Sequence, residues 1–180
     1  MHSLNIPFDV TIRPATPSDK SKIYTWLAHS NLTPEMLGEP NFPDNPVPSW
    51  DEFDKDYTDH YFDDTKPMKG RCYIILKKQE EVGQINYNAI DHKTKTTEID
   101  IWLADKKHTG QGIGPMAIKL LCNHLFEDID CRRIIIQPSA RNIHAVKAYK
   151  KAGFTQVKNM PKNFKLDYHD SVVLAMNFFK

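Results

Sequence analysis

The sequence predicts an α/β (α+β) chain in which a mixed sheet is covered by helices, and three features carry that prediction. An alternating strand followed by a helix opens the chain, two β-rich runs joined by a polar turn occupy its middle, and strands alternate with helices over its last third. The 180 residues carry a net charge of +1 and are 40% apolar, which suits a single domain over residues 1–180 with one core.

Taken in order, Phe8 to Arg13 alternates apolar and polar side chains, as a strand with one buried face does. A turn at Pro14–Asp19 leads into a helix over Ser21–His29, with Ile23, Trp26 and Leu27 at helical spacing. From Asn31 to Pro48, five prolines and Gly38 exclude regular structure of any length. Ser49 then caps an acidic helix whose Phe53, Tyr57 and Tyr61 recur every four residues along one face, a stripe read mainly as packing. Arg71–Lys77 and Val82–Asn88 form a hairpin about a Lys78–Glu81 turn. In the strand Thr97–Leu103, alternation places Glu98, Asp100 and Trp102 on one face and Ile99, Ile101 and Leu103 on the other.

The chain is organised around Thr109–Phe154. Thr109-Gly110-Gln111-Gly112-Ile113-Gly114 runs into a helix with Pro115 at its first position and an apolar face of Met116, Ile118, Leu120, Leu121 and Leu125. Three glycines let backbone N–H groups turn inward without Cβ obstruction, and the helix N-terminus behind them adds positive potential, a combination suited to phosphate. A β-branched strand at Arg132–Gln137, a Pro138–Arg141 turn and a helix capped by Asn142 and stopped by Gly153 follow. Phe154–Val157 and Ser171–Phe179 are the last strands, joined by a polar connection over 161–170.

Charge is unevenly spread. Between Asn31 and Thr65 there are ten acidic residues against the single Lys55, so the remainder is strongly basic. Opposite signs on two parts of a small domain point to two ligands of opposite charge, the alternative being an ordinary solvated acidic segment. Cys72, Cys122 and Cys131 are expected as free thiols, and the histidines show no metal-ligand spacing. No basic stripe with interleaved aromatics signals nucleic acid, and neither a signal peptide nor an 18-residue apolar run signals a membrane. The expected location is cytoplasmic.

The Gly-x-Gly-x-Gly loop feeding a helix, the strand, and then Asn142-x-x-Ala145-x-x-x-Tyr149-x-x-x-Gly153-Phe154 resemble the GCN5-related N-acetyltransferase (GNAT) superfamily. The resemblance implies the GNAT fold, a mixed, mostly antiparallel twisted sheet of six to seven strands flanked by helices, and acetyl-CoA as co-substrate. It implies that amides of Gly110, Gln111, Gly112, Ile113 and Gly114 wrap the pyrophosphate, with weaker contact at Thr109, where the family usually has Arg or Gln. It places Asn142 on the pantetheine arm with Ala145 among the cofactor contacts, Tyr149 as donor to the thioester sulfur, and the amides around Trp102 and Leu103 on the carbonyl.

Trp26-Leu27, Trp50 with Asp56-Tyr57, Ile99-Asp100, and Gln137-Pro138-Ser139 with Asn142 look like aminoglycoside 6'-N-acetyltransferases. Two positions depart from that group's pattern: Gln137 stands where an Asp holds the drug, and Ile101 where a Gln follows the strand Asp. Acetyl transfer to an amine needs a proton acceptor, and Asp100 is the first choice for the base, Glu98 the second. Trp26, Trp50, Asp56, Tyr57, Glu98, Asp100 and Gln137 are the expected acceptor contacts. The expected partner is a cationic small-molecule amine, with the chain a monomer or homodimer. Alternatives are another amine (a siderophore hydroxylysine-type intermediate, a polyamine or a protein N-terminus) or a non-catalytic coenzyme A sensor.

Overall fold

The computed structural model describes residues 9–37, 46–160 and 164–178. Phe8, Phe179, residues 38–45 of the proline-rich stretch and residues 161–163 of the last connection, named above, lie outside the described residues.

Seven strands form one sheet in the order β1-β2-β3-β4-β5-β7-β6: β1 Val10–Pro14, β2 Gly70–Lys77, β3 Glu80–Asn88, β4 Thr96–Leu103, β5 Arg133–Ile136, β6 Thr155–Gln156 and β7 Leu174–Asn177. Every neighbouring pair is antiparallel except β4 with β5. The parallel pair needs a crossover, and the helix α4 (Ile113–Glu127) supplies it. The last strand enters between β5 and β6, so the two-residue β6 forms the edge.

On one face α4 buries Ile113, Ala117, Ile118, Leu121 and Leu125 against Ile75, Ile85 and Ile99 in the main core. The opposite face carries a second core, in which Ile23 of α1 (Lys20–Ala28) and Phe53 of α3 (Trp50–Asp56) meet Ile74 and Trp102. Between α1 and α3 a short helix, α2 (Thr33–Leu37), forms inside the segment expected to be irregular. Pro34 occupies its first turn, where the missing N–H removes no helical bond.

Three of the boundaries that differ from the sequence reading do so for a clear local reason. The β2–β3 turn is two residues, Lys78 and Gln79, both at positive φ (48° and 70°), as a hairpin whose turn twist matches its strands requires. Helix α4 begins at Ile113 after a left-handed Gly112, so Pro115 lies in the first turn rather than at its first position, still among the N–H groups that have no partner in the helix. Helix α3 ends at Asp56, yet the aromatic stripe continues because Tyr61, in the following 3₁₀ turn, keeps its ring 5.2 Å from Tyr57.

A capping box starts α3: Ser49 Oγ accepts from the Glu52 amide at 3.3 Å, and the Glu52 carboxylate accepts from the Ser49 amide at 2.8 Å. Ser49→Ala is expected to cost about 1 kcal/mol of stability in urea denaturation. The helix it anchors carries Phe53 and delivers Tyr57 to the site described next.

Candidate functional site

The site grows from the alternation in β4. Glu98, Asp100 and Trp102 share one face as expected, and their cross-strand neighbours on β3 are polar: Asn86 pairs with Asp100 and Gln84 with Trp102. Asp100 Oδ2 accepts from Asn88 Nδ2 at 3.0 Å and from Asn86 Nδ2 at 3.2 Å. Burial pushes this carboxyl above the usual range for an aspartate, the two amides pull it back, and the nearby Asp167 charge adds to the rise.

Glu98 accepts from Gln137 Nε2 at 2.9 Å and faces Asp167. Burial, the charges of Asp167 and Asp100, and the hydrogen bond to Asp167 raise its proton affinity far above an ordinary glutamate's. Two adjacent carboxylates resist ionising together, which favours a proton held between Glu98 and Asp167. Carboxylate oxygens of Glu98, Asp100 and Asp167 all lie within 4.8 Å of one another, an arrangement that favours cations.

Asp167 arrives on the connection before β7. Its amide donates to Gln137 Oε1 at 3.4 Å, Gln137 Nε2 donates to the Lys165 carbonyl at 3.3 Å, and Tyr168 Oη donates to the Met36 carbonyl in α2 at 3.3 Å. This connection thus spans from α2 to the end of β5 and walls in a cavity of about 510 Å³. Around that cavity stand Asp56, Tyr57, Glu98, Asp100, Trp102, Gln137, Asn142, Ala145, Tyr149 and Asp167.

One wall of the cavity follows from strand geometry. Pairing of β4 with β5 stops at Glu98, while the chain beyond β5 turns away to bond the last strand's approach, through Pro138 with Val172 and Ser139 with Ser171. The stretch Ile99–Trp102 is consequently bonded to β3 along one edge and opens to the cavity along the other. An open strand edge offers N–H and C=O groups to an extended amide-bearing ligand. Across from it, Asn142 caps α5 (Ile143–Lys151), its Oδ1 accepting from the Ala145 amide at 3.1 Å. Tyr149 follows two turns later, its hydroxyl held protonated far above neutrality, mainly by burial and then by Tyr168 and Asp100.

The glycine loop stands after β4, outside the cavity's lining. Gly110 (φ +70°) and Gly112 (φ +75°) adopt backbone forms that favour glycine. A Cβ built at Gly110 or Gly114 would meet nothing within 4 Å, so the space over this backbone is open to a phosphate at the N-terminus of α4. Thr109 turns its hydroxyl back to the Lys106 carbonyl at 2.7 Å, and Gln111 binds the Lys107 carbonyl and the Lys77 ammonium with its side chain. Their side chains brace the loop from within.

Trp26 and Trp50 are not brought to the cavity among the described residues. Trp26 packs on the second core with the Lys22 ammonium 5.8 Å over its ring, and Trp50, 40% exposed, packs against Tyr24 and Phe53. Leu103 points away into the main core beside Gly83. Cys72, Cys122 and Cys131 are buried free thiols. Sequence reasoning missed Asp167, Asn86 and Asn88. The asparagines had a signal, since Gln84, Asn86 and Asn88 alternate on β3 as the carboxylates do on β4, but Asp167 lies in a connection with no periodicity.

Comparison with known proteins bears on the family and the fold. Residues 9–155 match the model of the acetyltransferase (GNAT) domain. The ribosomal-protein-serine acetyltransferase of Escherichia coli is 33% identical over 84 residues, a match spanning 47% of this chain and less than half (46%) of that protein. The aminoglycoside N(6')-acetyltransferase type 1 of Klebsiella pneumoniae is 27% identical over 156 residues, 81% of this chain and 73% of that one. Among solved structures, an AAC(6')-Ib in complex with paromomycin and acetyl-CoA shares the fold with a TM-score of 0.71 at 22% identity, over 94% of this chain and 93% of that one. The chain belongs to the GNAT acetyltransferase family.

Proposed function

We propose that the chain is an acetyl-CoA-dependent N-acetyltransferase acting by direct transfer on an amino group of a cationic small molecule, with an aminoglycoside, acetylated at its 6' amine, as the favoured acceptor. The observation that carries this reading is the convergence of Asp100, Glu98, Asp167 and Asp56 on one cavity beside the open edge of β4. An acceptor bearing several ammonium groups matches that density of carboxylates. The Klebsiella relative, matched over most of both chains, supports the aminoglycoside in particular.

In this reading acetyl-CoA lies with its pyrophosphate on the amides of residues 110–114 and its arm between β4 and α5, where Asn142 and Ala145 border the cavity. Asp100 anchors the acceptor ammonium and takes its proton, directly or through water. Amides at the end of β4 polarise the acyl carbonyl, and the Tyr149 hydroxyl protonates the departing thiolate. Polyamines and protein N-termini are the competing acceptors, the latter on the strength of the Escherichia coli relative.

The test is release of free thiol from acetyl-CoA over a panel of kanamycin, spermidine and N-terminal peptides. Kanamycin is expected to give release well above the hydrolysis background, with mass spectrometry placing one acetyl group on its 6' amine. Release only with another amine would overturn the aminoglycoside. Acetyl-CoA binding without release for any amine would overturn catalysis. Acetyl-CoA at 100 times its Kd is expected to raise stability by about 2.7 kcal/mol in a thermal melt.

A further inference from the structure

A ladder of side-chain amides runs along β3 beneath the acceptor cavity, and its donors point one way. Gln84 Nε2 donates to Asn86 Oδ1 at 3.2 Å, Asn86 Nδ2 donates to Asn88 Oδ1 at 3.0 Å, and both asparagines donate to Asp100 Oδ2. Two tyrosines feed the same ladder: Tyr57 Oη donates to Asn86 Oδ1 at 3.4 Å and Tyr61 Oη to Asn88 Oδ1 at 3.0 Å. Gln84 is fully buried, and among the described residues its Oε1 has no partner while its Nε2 is engaged by Asn86. Both asparagine amides are oriented so that a hydrogen, rather than an oxygen, faces the Asp100 carboxylate.

We propose that Asn86 and Asn88, oriented by Tyr57 and Tyr61, are positioning residues that fix the rotamer of Asp100 and set its proton affinity for the transfer chemistry. The inference rests on Asp100 as base in the reading above and deepens it.

The fold commits resources to this arrangement. Cys72, Asn86 and Asp100 are direct cross-strand neighbours on β2, β3 and β4, so the polar pair lies in a row bounded by a small side chain. Gly70, paired with Asn88, has φ +128°, and a Cβ there would lie 2.6 Å from the Tyr61 ring and 2.8 Å from the Tyr87 carbonyl. The absence of a side chain at Gly70 is what lets Tyr61 lie over the strand and reach Asn88. Phe53 stacks on Tyr57 at 4.6 Å and Trp102 meets its edge at 6.0 Å, which holds the second tyrosine.

The titratable groups facing Asp100 come from every element around it. They are Tyr57 and Tyr61 after α3, Cys72 on β2, Glu98 on its own strand, Asp167 on the connection before β7, and Tyr149 on α5. Asp56 and Lys165 stand at the cavity's rim. Both ladder tyrosines and Cys72 are held protonated by burial, so across the working range the tyrosines remain donors. Burial and Asp167 oppose ionisation of Asp100, whereas the two asparagines favour it.

The decisive experiment is a carboxyl ¹³C NMR titration of Asp100 in the ligand-free protein, assigned by difference with Asp100→Asn, together with pH profiles of kcat/KM. Asn88→Ala is expected to move the Asp100 midpoint and the acid limb of kcat/KM upward by about one pH unit. Tyr61→Phe, which keeps the ring's packing, is expected to shift both the same way by less. Midpoints unchanged in both variants, or rates lowered equally at every pH, would overturn the proposal. Because the NMR titration needs no substrate, an absence of acetyl transfer would fail the functional reading alone and leave the ladder to be judged by its own readout.

Discussion

Replacing Asp100 by asparagine is expected to lower kcat/KM for acetyl transfer at neutral pH by about 10²-fold or more, with little change in the affinity for acetyl-CoA. A primary amine is mostly protonated at that pH, so the acceptor arrives as a cation and must lose a proton before its nitrogen can attack. Asp100 borders the cavity beside the open edge of β4, with an oxygen already fixed by two amides. Asparagine keeps the volume but neither attracts the ammonium nor takes its proton. The pH dependence follows from the sign of the shift: burial raises the carboxyl above its ordinary 3.8, and only the ionised form acts as base. Wild-type activity should therefore fall as pH drops through that raised value, while the variant's residual rate stays flat and the two profiles converge in acid. Undiminished turnover in the variant would remove Asp100 from the role.

Tyr149→Phe is expected to lower kcat by about 10²-fold while leaving the calorimetric affinity for acetyl-CoA within a factor of two, as loss of a proton donor alone predicts. The side chain packs against the main core and borders the cavity, so removing one oxygen leaves the ring's packing in place. Burial holds that hydroxyl protonated well beyond neutrality, the state a donor to a departing thiolate requires. Equal losses in kcat and in acetyl-CoA affinity would instead make Tyr149 a binding contact.

The parts legible in the sequence are those whose physics is local. Strict alternation in β4 placed Glu98 and Asp100 on a common face, and Asn142 and Gly153 marked both ends of α5, where Phe154 and Gly153 donate to the carbonyls of Tyr149 and Lys150. The start of α4 was misread because a proline at a helix's first position is favoured locally, whereas the left-handed Gly112 sets the true start two residues earlier. Asp167 was invisible because its proximity to Glu98 depends on the connection being tied down by Gln137, a contact between residues 30 apart. Trp26 and Trp50 followed only from the narrower resemblance, and their rings are engaged in packing away from the cavity.

The division of the site along the chain has a consequence for how such a protein diversifies. The groups assigned to the acyl donor fall within one continuous span, from the end of β4 through α5, braced by the main core. The far wall is assembled from the end of α1, from α2, the close of α3 and the connection before β7, the last of which is tied to α2 by Tyr168 and Met36 and to that span by Asp167 with Gln137 and by Asp170 with Ser139. On the proposed assignment, substitutions among the cavity-facing side chains of that wall leave the residues assigned to the acyl donor in place, so duplicated copies are free to drift toward new amines.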